Sequence, residues 1–496
     1  MSWAARRIAL PLLHALLGCL VSIVILAAHY LAGRPDLEPW HLADLDAEFR
    51  AADADPIKDL TGYRALEERL FAQLHEEVYQ RIDNADRSTA NRYRSGSRMD
   101  PESFVPNWNR TFELVPENAI AGALLLHGLS DSPYSMRSMG EVLHEEGVQV
   151  VGLRLPGHGT APSGLLDVTA ADWQAAVRLA VLDVRAKIGP DRPLYLVGYS
   201  NGAALAVDYA LSALEGTDLP RVDSLVLLSA AIEVTSAAAL APSLAGLSRL
   251  TGLARLGWTT IQPEFDPYKY NSFTVNAGAQ IHALTSGIAN RIGRLARGGT
   301  LSGFPRVLAF QSAVDATIPA GAVVDGLLAR LPPGDHELVL FDVNRNTEAE
   351  PLLRADPETL TARLLGNAGN PFTLDLLTNA DDASDAVVLR RRPAGPGAIT
   401  ESPLPYVWPT GVFSLSHVAL PFPPDDPIYG GPEARAAARL TPGEDPIALG
   451  AITLLGERGM LQVPDGFFLR LRFNPFFPYV EERTRDFLER GLKARR

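Results

Sequence analysis

The spacing of hydrophobic positions changes several times along the chain, and each change predicts a different kind of element. Ile8–Ala28 is almost continuously apolar, broken only by Pro11, His14 and Ser22. As a helix at 1.5 Å per residue it is ~30 Å long, the thickness of a bilayer core. Residues 34–100 are polar and charged, yet Tyr63, Leu66, Leu70, Leu74, Val78 and Ile82 recur about every four positions. That stripe predicts one amphipathic helix over Gly62–Ile82, a stalk or packing helix within a polar linker. From Ala119 short apolar runs alternate with helical stretches. Strands are expected at Ile120–Leu126, Val148–Leu153, Leu194–Val197 and Val222–Leu228, and helices at Pro133–Glu146, Ala170–Lys187 and Ala203–Leu214. Such alternation predicts an α/β fold, a doubly wound, mostly parallel sheet with helices on both faces.

Two stretches interrupt the alternation. Ala231–Gly303 has helical spacing, with Leu240, Leu244, Leu247, Leu250 and Leu253 in one stripe and Ile281, Leu284, Ile288, Ile292 and Leu295 in another. It predicts a helical cap in which some apolar side chains face a pocket, together with Trp258, Phe265, Tyr268, Tyr270 and Phe273. A strand at Arg306–Phe310, a helix at Ala320–Leu331 and a strand at Glu337–Phe341 follow. Asn344–Thr410, rich in Pro, Asp and Asn, reads as a loop-rich insertion with one strand candidate at Ala386–Arg390. An amphipathic helix near Tyr479–Leu492 ends the pattern. The expected organisation is an anchor over 1–33, a linker over 34–100 and one domain over 101–496, with insertions at 231–303 and 344–410.

Composition narrows the function. Hydrophobic residues make up 47% of the 496 and charged residues 21%, too apolar for a disordered chain. A net charge of −13 argues against a nucleic-acid partner, which needs clustered Lys and Arg. The single cysteine, Cys19, excludes an intrachain disulfide and a cysteine-based zinc site. Arg6 and Arg7 precede the apolar run, and Arg34, Asp36 and Glu38 follow it. The positive flank predicts a single-pass anchor with its N-terminus in the cytoplasm and the domain exported, periplasmic in a bacterium. The alternatives are a cleaved signal peptide and lipidation at Cys19 within Leu16-Leu17-Gly18-Cys19. No small-x-small site follows Ala28, and the residues after Cys19 stay apolar.

The chemistry begins at Gly198-Tyr199-Ser200-Asn201-Gly202, a G-x-S-x-G pattern between an expected strand and an expected helix. Small residues on either side of such a turn let the serine stand clear of the sheet. Upstream, Ile120–Leu126 runs into His127-Gly128-Leu129-Ser130, where a glycine lets the backbone turn. The N–H groups of Leu129 and Asn201 would then form an oxyanion hole. These residues, with Leu124-Leu125-Leu126 before them, Asp131-Ser132-Pro133 after them and Leu155-Pro156-Gly157-His158-Gly159-Thr160, resemble the α/β-hydrolase superfamily, in particular its monoacylglycerol lipase and carboxylesterase branch. The resemblance covers Ala119–Leu228 well and Pro305–Phe341 moderately. It implies a loop-forming, structural role for His158. It also implies a triad in the order serine, acid, histidine, with the acid after the strand that follows the cap. Asp315 stands there, in Gln311-Ser312-Ala313-Val314-Asp315, where it is equally suited to cap a turn. Glu233 is the rival acid. Of the two histidines further on, His336 begins a strand expected at the sheet edge, whereas His417 lies in a loop flanked by small polar residues. Asp315 and His417 stand 102 positions apart, a separation that the 344–410 insertion accounts for.

No other chemistry finds a motif. His75-Glu76 and His144-Glu145 lack a second histidine four residues on, and neither a phosphate loop nor G-x-G-x-x-G occurs. Asp425-Asp426 reads as loop-forming, suited to orienting the His417 loop. No cofactor or metal is implied. The expected function is hydrolysis of carboxylic esters, such as monoacylglycerols, through Ser200, His417 and Asp315. A non-catalytic binding domain and an amidase or peptidase of the same fold are the alternatives.

Overall fold

The computed structural model describes residues 33–82, 90–216, 218–233, 253–315, 317–347, 350–353, 356–411, 415–431, 449–451, 454–455 and 469–495, with the isolated positions 14, 18, 22 and 434. Most of the apolar run at 8–28 and most of the stripe beginning at Leu240 lie outside them. Among the described residues no helix is long and apolar enough to cross a membrane.

A ten-stranded sheet forms the centre. Its first strands are β1 (Phe112–Leu114), β2 (Ala121–Leu126), β3 (Val148–Leu153), β4 (Leu194–Tyr199) and β5 (Ser224–Leu228). A separate hairpin of β6 (Trp258–Thr260) and β7 (Phe273–Thr274) intervenes. The sheet then resumes with β8 (Arg306–Ser312), β9 (Glu337–Phe341), β10 (Thr373–Asn379), β11 (Ala386–Arg392) and β12 (Thr400–Val407). The spatial order is β1-β3-β2-β4-β5-β8-β9-β10-β11-β12, parallel from β3 to β10 and antiparallel at β1, β11 and β12. This is the doubly wound, mostly parallel sheet expected from the alternation. The strands β2 to β5 are buried along their whole length, as a parallel sheet covered on both faces requires. Alternate residues go to opposite faces: Leu124 and Leu126 join one core cluster, Ala123 and Leu125 the other. On the first face lie α1 (Leu60–Glu77), α3 (Ala170–Ile188), α4 (Asn201–Leu214) and α5 (Val275–Arg297). On the second lie α2 (Arg137–Glu145) and the terminal helix α8 (Phe477–Arg495), through Met139, Leu143, Val480 and Phe487. Short helices α6 (Ala320–Gly326) and α7 (Pro357–Gly366) sit between the later strands.

Three expectations are corrected. The stretch 344–410 is not loop-rich: it carries α7 and three strands that extend the sheet. Its Asp and Pro residues conceal the strands. Asp375 is buried in β10 because Arg391 of β11 donates to it at 2.6 and 2.7 Å and the Tyr479 hydroxyl at 2.8 Å. Pro403 and Pro405 are tolerated because β12 is the sheet's outer strand. The stretch 34–100 is more than a linker. Glu48 and Glu67 both reach the buried Arg154 after β3, at 2.9 and 2.8 Å, and Tyr63 donates to the Arg154 carbonyl at 2.7 Å. In the cap, Ile281, Leu284, Ile288 and Ile292 of α5 belong to the core cluster, so the described stripe packs on the fold instead of facing a pocket.

Candidate active site

The candidate site forms at the carboxyl ends of β2, β4 and β8. Ser200 ends β4 and begins α4 with φ 54° and ψ −113°, a left-handed backbone that is rare for a residue with a Cβ. Its flanking glycines are required by space. A Cβ on Gly202 would lie 2.0 Å from the Leu126 carbonyl oxygen, and one on Gly198 would lie 2.5 Å from the Ala203 nitrogen. The turn is held by the Ser200 N–H, which donates to Leu228 at 2.9 Å, and by its carbonyl, which accepts from Ala204 and Ala231 at 3.1 and 3.2 Å. The strain is thus over-determined by the strands on either side.

The turn after β2 has a different division of labour from the expected one. Ser130, not Gly128, takes the left-handed backbone, with φ 70°. Gly128 is needed because a Cβ there would meet the Tyr199 ring at 2.8 Å and the Asp131 carboxylate at 2.7 Å. His127 is fully buried and ties this turn to the next: its Nε2 accepts from the Leu155 N–H at 3.0 Å. His158 is buried against the His127 ring, and burial lowers its pKa to about 4, which fits the structural role implied for it. Among the described residues, neither the Leu129 nor the Asn201 N–H donates to a protein acceptor. Asn201 starts α4, where an amide has no partner within its helix.

Asp315 lies beyond β8 and serves two purposes. Its Oδ1 accepts from the Thr317 and Ile318 N–H groups at 2.9 and 2.8 Å, the turn-capping role. Its Oδ2 accepts from Gln311 Nε2 at 3.0 Å and from His417 Nδ1 at 2.9 Å. That bond directs the proton to Nδ1 of His417 and leaves Nε2 as the free lone pair. The His417 ring lies 5.3 Å from that of Tyr199, the residue before Ser200. The chain between them carries β9 to β12 and then returns to the carboxyl ends of the strands. Of the rivals, Glu233 is exposed, and His336 sits at the opposite end of β9, accepting from the Val307 N–H at 3.2 Å.

Further residues connect the site to its surroundings. Asp426 is buried and accepts from the Tyr134 hydroxyl at 2.9 Å and from the Ile428 and Tyr429 N–H groups at 2.9 Å. It thereby fixes the chain after His417 to the segment preceding α2, consistent with the orienting role open to Asp425-Asp426. Tyr134 also stacks on Tyr268 of the cap at 3.9 Å. The cap touches the turn after β2 directly, since Tyr270 N–H donates to the Ser130 carbonyl at 2.8 Å and Lys269 Nζ lies 3.6 Å from Asp131. Trp258, Tyr268 and Tyr270 are buried in this packing, so they supply little free aromatic surface. A cavity of about 320 Å³ remains beside His417, with Phe265, Lys269, Val418, Phe422, Arg470 and Arg472 among its walls. Among the described residues no group of three or more His, Cys, Asp or Glu is placed to hold a metal ion.

Residues 118–291 match the family described as serine aminopeptidase, S33. The chain is similar to a thermostable monoacylglycerol lipase from Bacillus sp. (strain H-257), 29% identical over 123 residues. That match spans 46% of the relative's length and 25% of this chain. One similar solved structure comes from work on the metagenome-derived lipolytic enzymes LipS and LipT, at 21% identity and a TM-score of 0.36, covering 47% of this chain and 87% of that one. Another is the monoacylglycerol lipase of Paleococcus ferrophilus, at 17% identity and a TM-score of 0.36, covering 47% of this chain and 88% of that one.

Proposed function

We propose that this chain, an α/β-hydrolase resembling the monoacylglycerol lipase and esterase branch, cleaves carboxylic esters through Ser200, His417 and Asp315. The observation that carries the reading is the 2.9 Å bond from His417 Nδ1 to Asp315, set beside a serine on a strained elbow. A serine hydroxyl is a weak nucleophile until a base takes its proton. His417 Nε2 takes it, and Asp315 holds the tautomer and stabilises the imidazolium. Ser200 Oγ attacks the ester carbonyl, and the Leu129 and Asn201 N–H groups receive the oxyanion, at ~3–4 kcal/mol per donor. The alcohol leaves with the proton from His417. Water, activated by the same base, then releases the acid from the acyl-enzyme. Phe265, Val418 and Phe422 supply an apolar wall for the acyl chain.

The Ile8–Ala28 run with Arg6 and Arg7 before it supports a single anchor, with the domain outside the cytoplasm. The test of the reaction is stopped-flow hydrolysis of p-nitrophenyl esters from acetate to laurate. A burst of p-nitrophenol equal to the enzyme concentration, with kcat/KM rising beyond acetate, supports an acyl-enzyme and an apolar acyl wall. Turnover of aminoacyl p-nitroanilides without ester cleavage would replace the esterase reading with the peptidase one that the matched family's name suggests.

A further inference from the structure

In the turn after β2 the Gly128 carbonyl accepts from the Asp131 N–H at 3.2 Å. It also accepts from His127 Nδ1 at 2.9 Å, the nitrogen that carries the ring proton because Nε2 accepts from the Leu155 N–H. A trans peptide points its N–H opposite to its carbonyl. Fixing the Gly128 carbonyl therefore fixes the direction of the Leu129 N–H, which donates to no protein acceptor among the described residues. The elbow closes on the same turn. A Cβ on Gly128 would meet the Tyr199 ring at 2.8 Å, and one on Gly202 would lie 2.7 Å from the His127 carbonyl oxygen.

The far side of the turn is strained, since Ser130 has φ 70°. Such a backbone persists only where its surroundings hold it. Here the cap supplies the hold. The Ser130 carbonyl accepts from the Tyr270 N–H at 2.8 Å, and the Asp131 carboxylate pairs with Lys269 at 3.6 Å. That cap segment is itself fixed. The Tyr270 hydroxyl donates to the Gly157 carbonyl at 3.2 Å and accepts from the Thr160 N–H at 2.9 Å. Arg92 donates to the Asp266 and Lys269 carbonyls at 3.0 and 3.4 Å. Asp131 is buried; burial raises its pKa, and the Lys269 ammonium is the largest influence against that rise. Its side chain thus grips the cap while its main chain grips the Gly128–Leu129 peptide. We propose that Asp131 and Lys269 are a positioning pair for the Leu129 N–H, the oxyanion donor of the proposed mechanism. The inference rests on the reading of Ser200 as the nucleophile and makes its chemical step depend on a seated cap. Neither residue of the pair acts on the reacting atoms.

Lys269 is the partner to change first, because its side chain is 29% exposed against 6% for Asp131. In the full chain, Lys269→Met should lower kcat for a p-nitrophenyl ester about tenfold and change KM less than about twofold, since a misplaced donor weakens the transition state and not the bound ester. Lys269→Arg keeps the charge and restores most of the lost kcat. Asp131→Asn acts like Lys269→Met, and the double variant falls no further than either single one, because both act through one contact. Amide hydrogen exchange of the peptide 127–132 reads the turn without any reaction. It should quicken in Lys269→Met while the urea midpoint stays in place. An unchanged kcat, a rise in KM alone, or unchanged exchange overturns the positioning role. Where the wild-type chain reacts with a fluorophosphonate but hydrolyses no ester, the labelling rate replaces kcat. An approximately tenfold slower labelling of Lys269→Met then upholds the pair and overturns the esterase reading alone. Equal labelling rates, or a wild-type chain that is not labelled, overturn the pair's role.

Discussion

In the proposed mechanism Ser200 and His417 act through single atoms, so their substitutions separate chemistry from folding. His417→Ala should lower kcat by ~10³–10⁶, because it removes the base proposed for Ser200, whereas His336→Ala at the far end of β9 should change kcat less than about twofold. Asp315→Asn should cost ~10³–10⁴ by presenting the wrong tautomer to His417, and the exposed Glu233→Gln almost nothing. Steady-state kinetics on the four variants checks all of this. A second residue-scale expectation concerns Glu264, a buried cap carboxyl whose pKa burial raises from 4.5 to about 7. Between those values the folded chain holds a proton that the unfolded chain has released. Its contribution is therefore complete below pH 4.5 and is lost as the pH rises through 7. Glu264→Gln should flatten the urea-midpoint slope across that window, a difference of roughly 3 kcal/mol. The three candidate triad residues were legible in the sequence because each lies in a short motif or an expected loop. The pairing of Lys269 with Asp131 was not, since only the fold brings the cap against the turn after β2.

Among the elements, the strand–helix unit around Ser200 depends on glycines that no side chain can replace. Gly202→Ala puts a methyl 2.0 Å from the Leu126 carbonyl oxygen and should push α4 from the end of β2. Activity should fall with the far-ultraviolet circular dichroism unchanged, and a fully active Gly202→Ala would contradict the geometry. The segment before the sheet is held by a buried ion triad, since Arg154 donates to Glu48 and Glu67 with all three side chains nearly inaccessible. Glu48→Ala leaves that guanidinium half compensated and removes an acceptor for the Gly157 N–H at 2.7 Å. A loss of ~3 kcal/mol, read by urea denaturation, is expected. The helix Leu60–Glu77 was legible from its four-residue stripe, but its place on the sheet was not, because a stripe says what is buried and not against what. Strands Thr373–Asn379 and Thr400–Val407 escaped a reading by hydrophobicity. One hides a charge that distant arginines neutralise, and the other uses prolines that only an outer strand permits.

For the whole molecule, the sequence states its architecture more clearly than its surroundings. The order of strands and helices from Ala119 to Phe341 follows from local patterning, because both faces of a parallel sheet must be apolar. The N-terminal run is a different kind of signal, legible only as length and flanking charge. It predicts that a reporter fused after Arg496 is active outside the cytoplasm and that the mature chain retains Arg6 and Arg7. A chain beginning after Ala28 or at Cys19 would overturn the anchor. The central claim concerns the assembly of one nucleophile from distant segments. Its most direct test is labelling of the purified chain with a fluorophosphonate, followed by mass spectrometry of the modified peptide. The adduct is expected on Ser200 alone, absent in Ser200→Ala and strongly reduced in His417→Ala. An adduct on another serine, or none on a folded wild-type chain, would contradict the account.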